Sequence, residues 1–539
     1  MNRISVFIRR QRIKKLENWT ITAILAEIFL AVIFPQIAAA AVIVGVITWF
    51  LRLQIDKKFK LRSLPFDLPV TIFVVLGTIS VFMSPACSFD LIYNYCEVMG
   101  VFVLTYLLVG QNIRTTEQVK SLMNAITAAA IIVVSVGYFQ YFFGVDISEM
   151  KITDLDTFGD MRTRIFSTLE NPNVLAGYLD VIICLALGML AKCGTRKQKI
   201  FLAAAIVFLV FCLAMTYSRG ALLSIAIIFL IYGIFYDWRI LILFATGTAI
   251  LFSQDSILFE RITSIFTAND AANNARIGIW VTTIAMIADH PFIGIGWGAY
   301  QLTYPQYNYY FDAAQTIYHA HNLYLQTAAE VGIAGALAYF WYFFGTMFMA
   351  LALNSNERYN QMKNAAGEIA RRANESEFKK KFDAELVKTV AESKFLQSLA
   401  QIKSMFILRM AELIHQIFDK FSTPPKTKTK TKTEKKSSPD VVHHEEMKFD
   451  AKNKKSDDKD DDDKFDAQKF ADNVSLFESR KTKNDEKFID GVRLGIGLAF
   501  LSMALNGMCD DLLFNIPSSI LMWTLGALAA SIEGIGSRE

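Results

Sequence analysis

Two histidines two residues apart, in His319-Ala320-His321-Asn322, stand where an apolar run begins. Neutral imidazole is the side chain best suited to take a proton from a hydroxyl near neutral pH, and Asn322 could orient either the ring or a substrate. Arginines mark the ends of other apolar runs. Arg219 lies in Tyr217-Ser218-Arg219-Gly220, Arg164 in Arg162-Thr163-Arg164-Ile165-Phe166-Ser167-Thr168, and Arg276 in a long loop that also holds Arg261. Guanidinium binds phosphate oxygens through a planar, bidentate fork, so a lipid pyrophosphate would satisfy all three. Each residue also has a plainer reading. Arg219 could snorkel to lipid phosphate, Arg276 could line a solvated helix face, Arg164 could be a loop charge, and the histidines could be packed, hydrogen-bonding groups.

Other constellations carry less. Asp154-Leu155-Asp156 has the Asp-x-Asp shape that can hold a divalent metal, but solvation explains it in a polar loop. Asp510-Asp511 is a second acidic pair, and Glu330 falls inside an apolar run, where it needs a polar neighbour. On a helix His319 and His321 would point about 200° apart, without the i, i+4 spacing of a zinc helix, so no metal site is expected. Six cysteines (Cys87, Cys96, Cys184, Cys193, Cys212, Cys509) lack zinc or redox spacing. Cys87 and Cys509 both fall in short turns on one side and could be bridged. Gly294-Ile295-Gly296-Trp297-Gly298 follows no strand, which excludes a dinucleotide fold and points to close backbone packing.

The elements that position these residues are membrane helices. Of 539 residues 53% are hydrophobic, 43 of them phenylalanine, more apolar surface than a soluble fold of this size can hide. The net charge of +4 is close to neutral and names no partner; nucleic acid is not expected. A ruler of roughly 20 apolar residues per span gives about 12 transmembrane helices, at 19–35, 36–52, 66–84, 92–110, 121–143, 172–191, 200–216, 219–237, 240–255, 319–353, 492–508 and 512–532. No small-residue cleavage signature follows the basic N-terminal arm, so the first span is expected to be retained. The expected class is therefore an all-α, polytopic integral membrane protein.

Basic residues fall in alternate loops: the N-terminal arm, Arg52 to Arg62, Arg114 and Lys120, Lys192 to Lys199, and Arg239. Under the positive-inside rule these loops and both termini are cytoplasmic. Arg164, Arg219, Arg276 and the histidines then share the opposite, outer face. Two segments on that face are long, 144–171 and 256–318. Within the second, Ala275 to Ala288 reads as a surface-lying helix with Ile277, Trp280, Ile284 and Ile287 on one face, ended by His290-Pro291. The membrane domain is expected over 1–353 and 491–539. Between its parts lie a cytoplasmic helical insert at 354–421, with an apolar stripe from Phe395 to Phe421, and a disordered polar segment at 422–490. The insert could meet a cytoplasmic partner. Asp457 to Lys464 resembles an expression tag and is left out of the functional argument.

These residues, in this order, resemble the O-antigen ligase and O-antigen polymerase superfamily of bacterial membrane glycosyltransferases. The resemblance rests on Arg164 to Thr168 with Asn171-Pro172-Asn173 and Gly177-Tyr178, Tyr217 to Gly220, Arg276 with Trp280, His290-Pro291 to Gly298, and His321-Asn322 with Gly332 and Gly335. It covers most of the membrane portion but not the insert. It implies transfer of a glycan from a polyprenyl pyrophosphate carrier to an acceptor hydroxyl at the periplasmic face, with no cofactor and no metal. His321 would be the base, Arg219 and Arg276 the pyrophosphate site with Arg164 assisting, and Asn322 and His319 supporting groups. One displacement at the anomeric carbon would invert configuration.

Ligation to lipid A core is the favoured reading. A polymerase acting on a growing glycan and a protein O-oligosaccharyltransferase are the alternatives. A lipid or polysaccharide transporter is the rival from another class, but its charges should line a path near the bilayer midplane, whereas these gather at one rim.

Overall fold

A computed structural model describes residues 3–144, 164–254, 271–308, 317–352, 467–511 and 516–532. The helices are α1 (Arg3–Ala31), α2 (Pro35–Ile55), α3 (Asp67–Phe82), α4 (Phe89–Asn112), α5 (Thr116–Phe143), α6 (Pro172–Lys192), α7 (Arg196–Ala214), α8 (Arg219–Phe235), α9 (Arg239–Gln254), α10 (Ala271–Asp289), the short α11 (Tyr300–Thr303), α12 (Leu323–Ala352), α13 (Ala467–Asn506) and α14 (Ile516–Ile532). Among the described residues there is no strand. The protein is an all-helical, polytopic membrane protein. Among the described residues, seven helices (α2, α4, α5, α6, α7, α12 and the apolar part of α13) are long and apolar enough to cross a bilayer, and α3, α8, α9 and α14 are shorter apolar helices. Each of the twelve expected spans overlaps a helix.

The chain divides into two compact units, Met1–Asn356 with Asp472–Glu539, and Glu357–Ala471. The expected insert helix with its Phe395 to Phe421 stripe, Asp457 to Lys464, and the Asp154 and Asp156 pair all lie outside the described residues. One boundary needs correction. The polar segment was expected to run disordered to 490, yet α13 is helical from Ala467. A helix already nucleated in the apolar part propagates at little further cost. Its polar half is also pinned, through Asp485 to Lys120 of α5 at 2.8 Å and through Asp490 to Lys192 of α6 at 3.5 Å.

In lipid, small residues and aromatic packing hold helices together. Gly188 of α6 meets the backbone of Gly491 and Gly495 of α13, where any side chain would collide. Tyr342 of α12 stacks on Trp523 of α14 with centroids 4.7 Å apart, and Phe102 and Tyr106 of α4 close over the same indole.

α12 is not continuous. Gly332 adopts φ 71°, ψ 173°, and the break receives the turn at 291–298. Ile295 N–H donates to Ala329 C=O at 2.8 Å, Gly296 N–H to Glu330 C=O at 3.0 Å, and Ile333 N–H to Pro291 C=O at 2.8 Å. The backbone groups freed by the break are thus paired inside the protein, the condition for irregular backbone at membrane depth. Gly294, Gly296 and Gly298 all have positive φ, and a Cβ on Gly294 or Gly296 would strike Glu330 or Ser84. This is the close backbone packing that the glycine run implied. Glu330 finds its polar neighbour in the N–H of Gly298, 3.0 Å from Oε1.

α10 forms over the expected stretch but divides the expected stripe. Ile277 and Ile284 are exposed together with Val281, whereas Ile279, Thr283 and Met286 pack inward. The reason is polar: Thr283 is buried because its hydroxyl bonds Ile279 C=O and lies 2.6 Å from the Tyr300 hydroxyl. The inward face packs against α12.

Candidate active site

α12 begins at Leu323, so His319 and His321 precede the helix rather than ride on it. The helical argument that held their rings apart therefore fails. His321 adopts φ 48°, left-handed backbone that an L side chain reaches at a cost of roughly 1–3 kcal/mol. The turn folds the imidazoles together, with centroids 4.0 Å apart.

Several contacts hold this turn. His321 N–H donates to His319 Nδ1 at 3.3 Å, Ala320 N–H to Gln326 Oε1 at 2.7 Å, and Trp280 Nε1–H of α10 to Ala320 C=O at 3.1 Å. Asn322 caps α12: its Oδ1 accepts from the N–H groups of Tyr324 and Leu325, both at 3.0 Å, and its Nδ2 donates to Met508 C=O at 3.1 Å. Leu323 N–H donates to Gly507 C=O at 2.8 Å. Asn322 is therefore a cap and a tie to the turn after α13.

That turn supplies a partner. His321 Nδ1 lies 3.2 Å from Asp510 Oδ1. The side chain of His321 is 35% exposed and that of Asp510 11%. Burial alone would raise the Asp510 carboxyl, but the hydrogen bond to His321, with the charges of His321, His319 and Arg276, outweighs it and holds the group well below the usual carboxylate range. An ionised Asp510 only accepts, so His321 presents the N–H of Nδ1 to it and turns Nε2 away from the carboxylate. His319 is set the other way. Burial, then His321 and Arg276, push its imidazole down to about 3, against a smaller opposing pull from Asp510. It stays neutral, with Nδ1 accepting from the chain.

Arg219 is the first residue of α8, half-buried. The next residue locates it: a Cβ on Gly220 would lie 3.1 Å from Asn506 Oδ1 and 3.3 Å from Cys509 Cβ, so the start of α8 abuts the turn bearing Asp510. Tyr217, two residues before Arg219, has φ 53°. Ser218 makes no side-chain capping bond, whereas at α6 Asn171 Oδ1 takes the N–H groups of Asn173 and Val174. Arg276, half-buried on α10, projects its charge onto both His319 and Asp510. Arg164 is buried: Nε donates to Thr216 C=O at 3.0 Å and Nη2 to Asn173 Oδ1 at 3.2 Å. With Ile165 N–H donating to Met215 C=O at 3.3 Å, it fastens its own segment to the turn that presents Arg219.

Among the described residues four non-glycine positions have positive φ: Ser167, Glu170, Tyr217 and His321. All lie within or beside the arginine- and histidine-bearing segments, and strained backbone clusters where surrounding structure fixes a working geometry.

His319, His321 and Asp510 each offer a ligand atom within 4.8 Å of the others, a possible divalent-metal set. Arg276 opposes it, because its cation acts on two of the three groups. In the observed arrangement Nδ1 of each ring is already hydrogen-bonded. Cys87 and Cys509 are both free thiols, so the bridge considered between them is not formed.

Residues 204–340 match the family model described as O-Antigen ligase. Over this quarter of its length the chain is similar to the O-antigen ligase family. The matched O-antigen ligase segment contains Tyr217 to Gly220, Arg276, Trp280 and His319 to Asn322; Arg164 and Asp510 lie outside it. No curated protein matches the chain. The helices make this a multi-pass membrane protein, and the match supports a ligase- or polymerase-like membrane glycosyltransferase in general. Asp510 is the partner of His321 to which the sequence assigned no role. Its only signal was an acidic pair in a short turn.

Proposed function

We propose that the protein moves a glycan from a polyprenyl pyrophosphate carrier to an acceptor hydroxyl at the periplasmic face of the inner membrane, as an O-antigen ligase with lipid A core as acceptor. The observation that carries this reading is the His321–Asp510 pair beside the start of α8. Asp510 fixes the tautomer, and His321 Nε2 takes the proton of the acceptor hydroxyl as that oxygen attacks the anomeric carbon. The bond from that carbon to the pyrophosphate oxygen breaks, and its electron pair leaves with the carrier. Arg219 and Arg276 neutralise the developing charge, electrostatic stabilisation that is often the largest catalytic term. A single displacement inverts the anomeric centre. No step calls for a metal, because base and charge stabilisation both come from side chains.

Charge supports this choice of face. Lys120, Lys192, Arg52, Arg62 and Arg114 all lie at the helix ends opposite those that carry Arg219 and His321, and basic residues favour the cytoplasmic side. On this reading the 354–490 insert is cytoplasmic and available to a cytoplasmic partner.

The test offers purified protein a carrier-linked glycan with lipid A core, with a peptide acceptor, or alone. The proposal expects glycosylated lipid A core and free polyprenyl pyrophosphate. Ladders of repeat units without any lipid A would assign polymerisation instead, and product that disappears on chelation would overturn the metal-free step.

A further inference from the structure

Below the rim of the candidate site, α6, α8 and α13 meet at a buried polar group that the proposed chemistry does not use. Asp180 of α6 is 1% exposed, and Ser224 of α8 and Ser502 of α13 are buried with it. The Ser502 hydroxyl donates to Asp180 Oδ2 at 3.3 Å. Ser224 Oγ lies 2.8 Å from Ser502 Oγ and donates to Ser502 C=O at 3.0 Å. At 1.5 Å of rise per residue, Ser224 is about 7.5 Å along α8 from Arg219 and Ser502 about 6 Å along α13 from Asn506.

The donors do not reach the whole carboxylate. The Ser224 and Ser502 hydroxyls and the buried Cys184 thiol one turn along α6 surround Asp180, yet none of them bonds Oδ1. Asp180 Oδ1 is buried with no hydrogen-bond partner, and among the described residues no cationic side chain pairs with it. An ionised carboxylate at this depth is costly without a counter-charge. A proton on Oδ2 could be donated to Ser502 Oγ, but it would still leave Oδ1 without a partner. A small cation against Oδ1 resolves both difficulties. It neutralises the carboxylate and draws its other ligands from Ser224 Oγ, Ser502 Oγ and Ser502 C=O, all hard oxygens of the kind that bind hard cations. One carboxylate matches one positive charge.

We propose that Asp180, Ser224 and Ser502 form an intramembrane site for a sodium ion. The ion joins three helices whose outer ends carry Asn171-Pro172, Arg219 and Asn506, so it stiffens the frame of the rim. The tight crossing of Gly188 on Gly491 and Gly495 lets α6 and α13 come close enough to share it.

The test is the thermal midpoint of the purified full-length protein as sodium chloride replaces choline chloride at constant ionic strength. A ligand bound only by the folded state raises the midpoint saturably. Wild type should show that rise, and D180N and S502A should lose it. A wild-type midpoint indifferent to sodium overturns the site, and D180N as stable as wild type would then identify a neutral acid. Sodium dependence retained in both variants also overturns it. Should D180N fail to fold, S502A and S224A, which keep the carboxylate, decide the matter alone. The readout is stability, so the ion site and the glycan-transfer reading fail separately.

Discussion

His321 Nδ1 and Asp510 Oδ1 stand 3.2 Å apart although 189 positions separate the residues in the chain. The contact joins the entrance of α12 to the turn after α13, and the Met508 and Gly507 carbonyls tie the same two segments together. Because several bonds fix the approach, the pairing is a built feature and Asp510 can act as an orienting group.

D510N should keep the shape of the turn while losing the ionised acceptor that sets the His321 tautomer. Transfer should fall about 100-fold or more, within the range that a positioned base contributes, with carrier binding little changed. Turnover and carrier affinity measured on the same preparation check this. An equal loss in both would mean that Asp510 supports the fold of the rim instead.

The arginines should separate by task. R219A and R276A should each weaken binding of polyprenyl pyrophosphate by about 1.5–3 kcal/mol, the worth of a hydrogen bond to a charged group, and the lysine variants should recover part of it. R164A should chiefly lower the thermal midpoint, since Arg164 is buried against Thr216 and Asn173. If R164A leaves stability intact but abolishes carrier binding, Arg164 contacts the ligand directly.

His319 should impose a pH dependence on stability. An unfolded histidine protonates near 6.5, whereas burial, with His321 and Arg276, takes the folded group down to about 3. Between those values the unfolded chain holds more protons, so stability rises with pH. The contribution is complete above about 6.5 and is lost as pH falls toward 3. H319Q should flatten the thermal midpoint between pH 6.5 and 4. Asp510, whose carboxyl is also depressed, adds a loss of the same sign at more acidic pH. A midpoint slope unchanged in H319Q would count against the neutral, buttressing role.

G332A should destabilise the protein by roughly 1–3 kcal/mol, the cost of forcing an L residue into left-handed backbone. The added Cβ would also strike the Phe292 carbonyl. The midpoint should drop and, because the 291–298 turn supports Glu330 and α10, transfer should drop with it. A G332A protein as stable as wild type would mean that the break in α12 can close.

Much of this architecture was written in local sequence. Apolar runs marked the spans, Pro35 the first hairpin, and the Ser218-Arg219-Gly220 turn the division of α7 from α8, because span length and helix interruption are local properties. His321, Arg219 and Arg276 stood out as candidates for a similar reason: charged and titratable groups are rare at the edges of apolar runs. What escaped was long-range. Nothing near Asp510 in sequence says that it meets His321, and nothing near Arg164 says that its guanidinium reaches Thr216. The reading of His319 and His321 as helical failed on one backbone angle, the left-handed φ of His321, which follows from the turn's hydrogen bonds and not from residue type.

The most direct test of the account is single-turnover transfer by purified H321A, with carrier binding measured on the same sample. The account predicts intact binding of the polyprenyl pyrophosphate-linked glycan and no detectable transfer to lipid A core. Full turnover by H321A would contradict it.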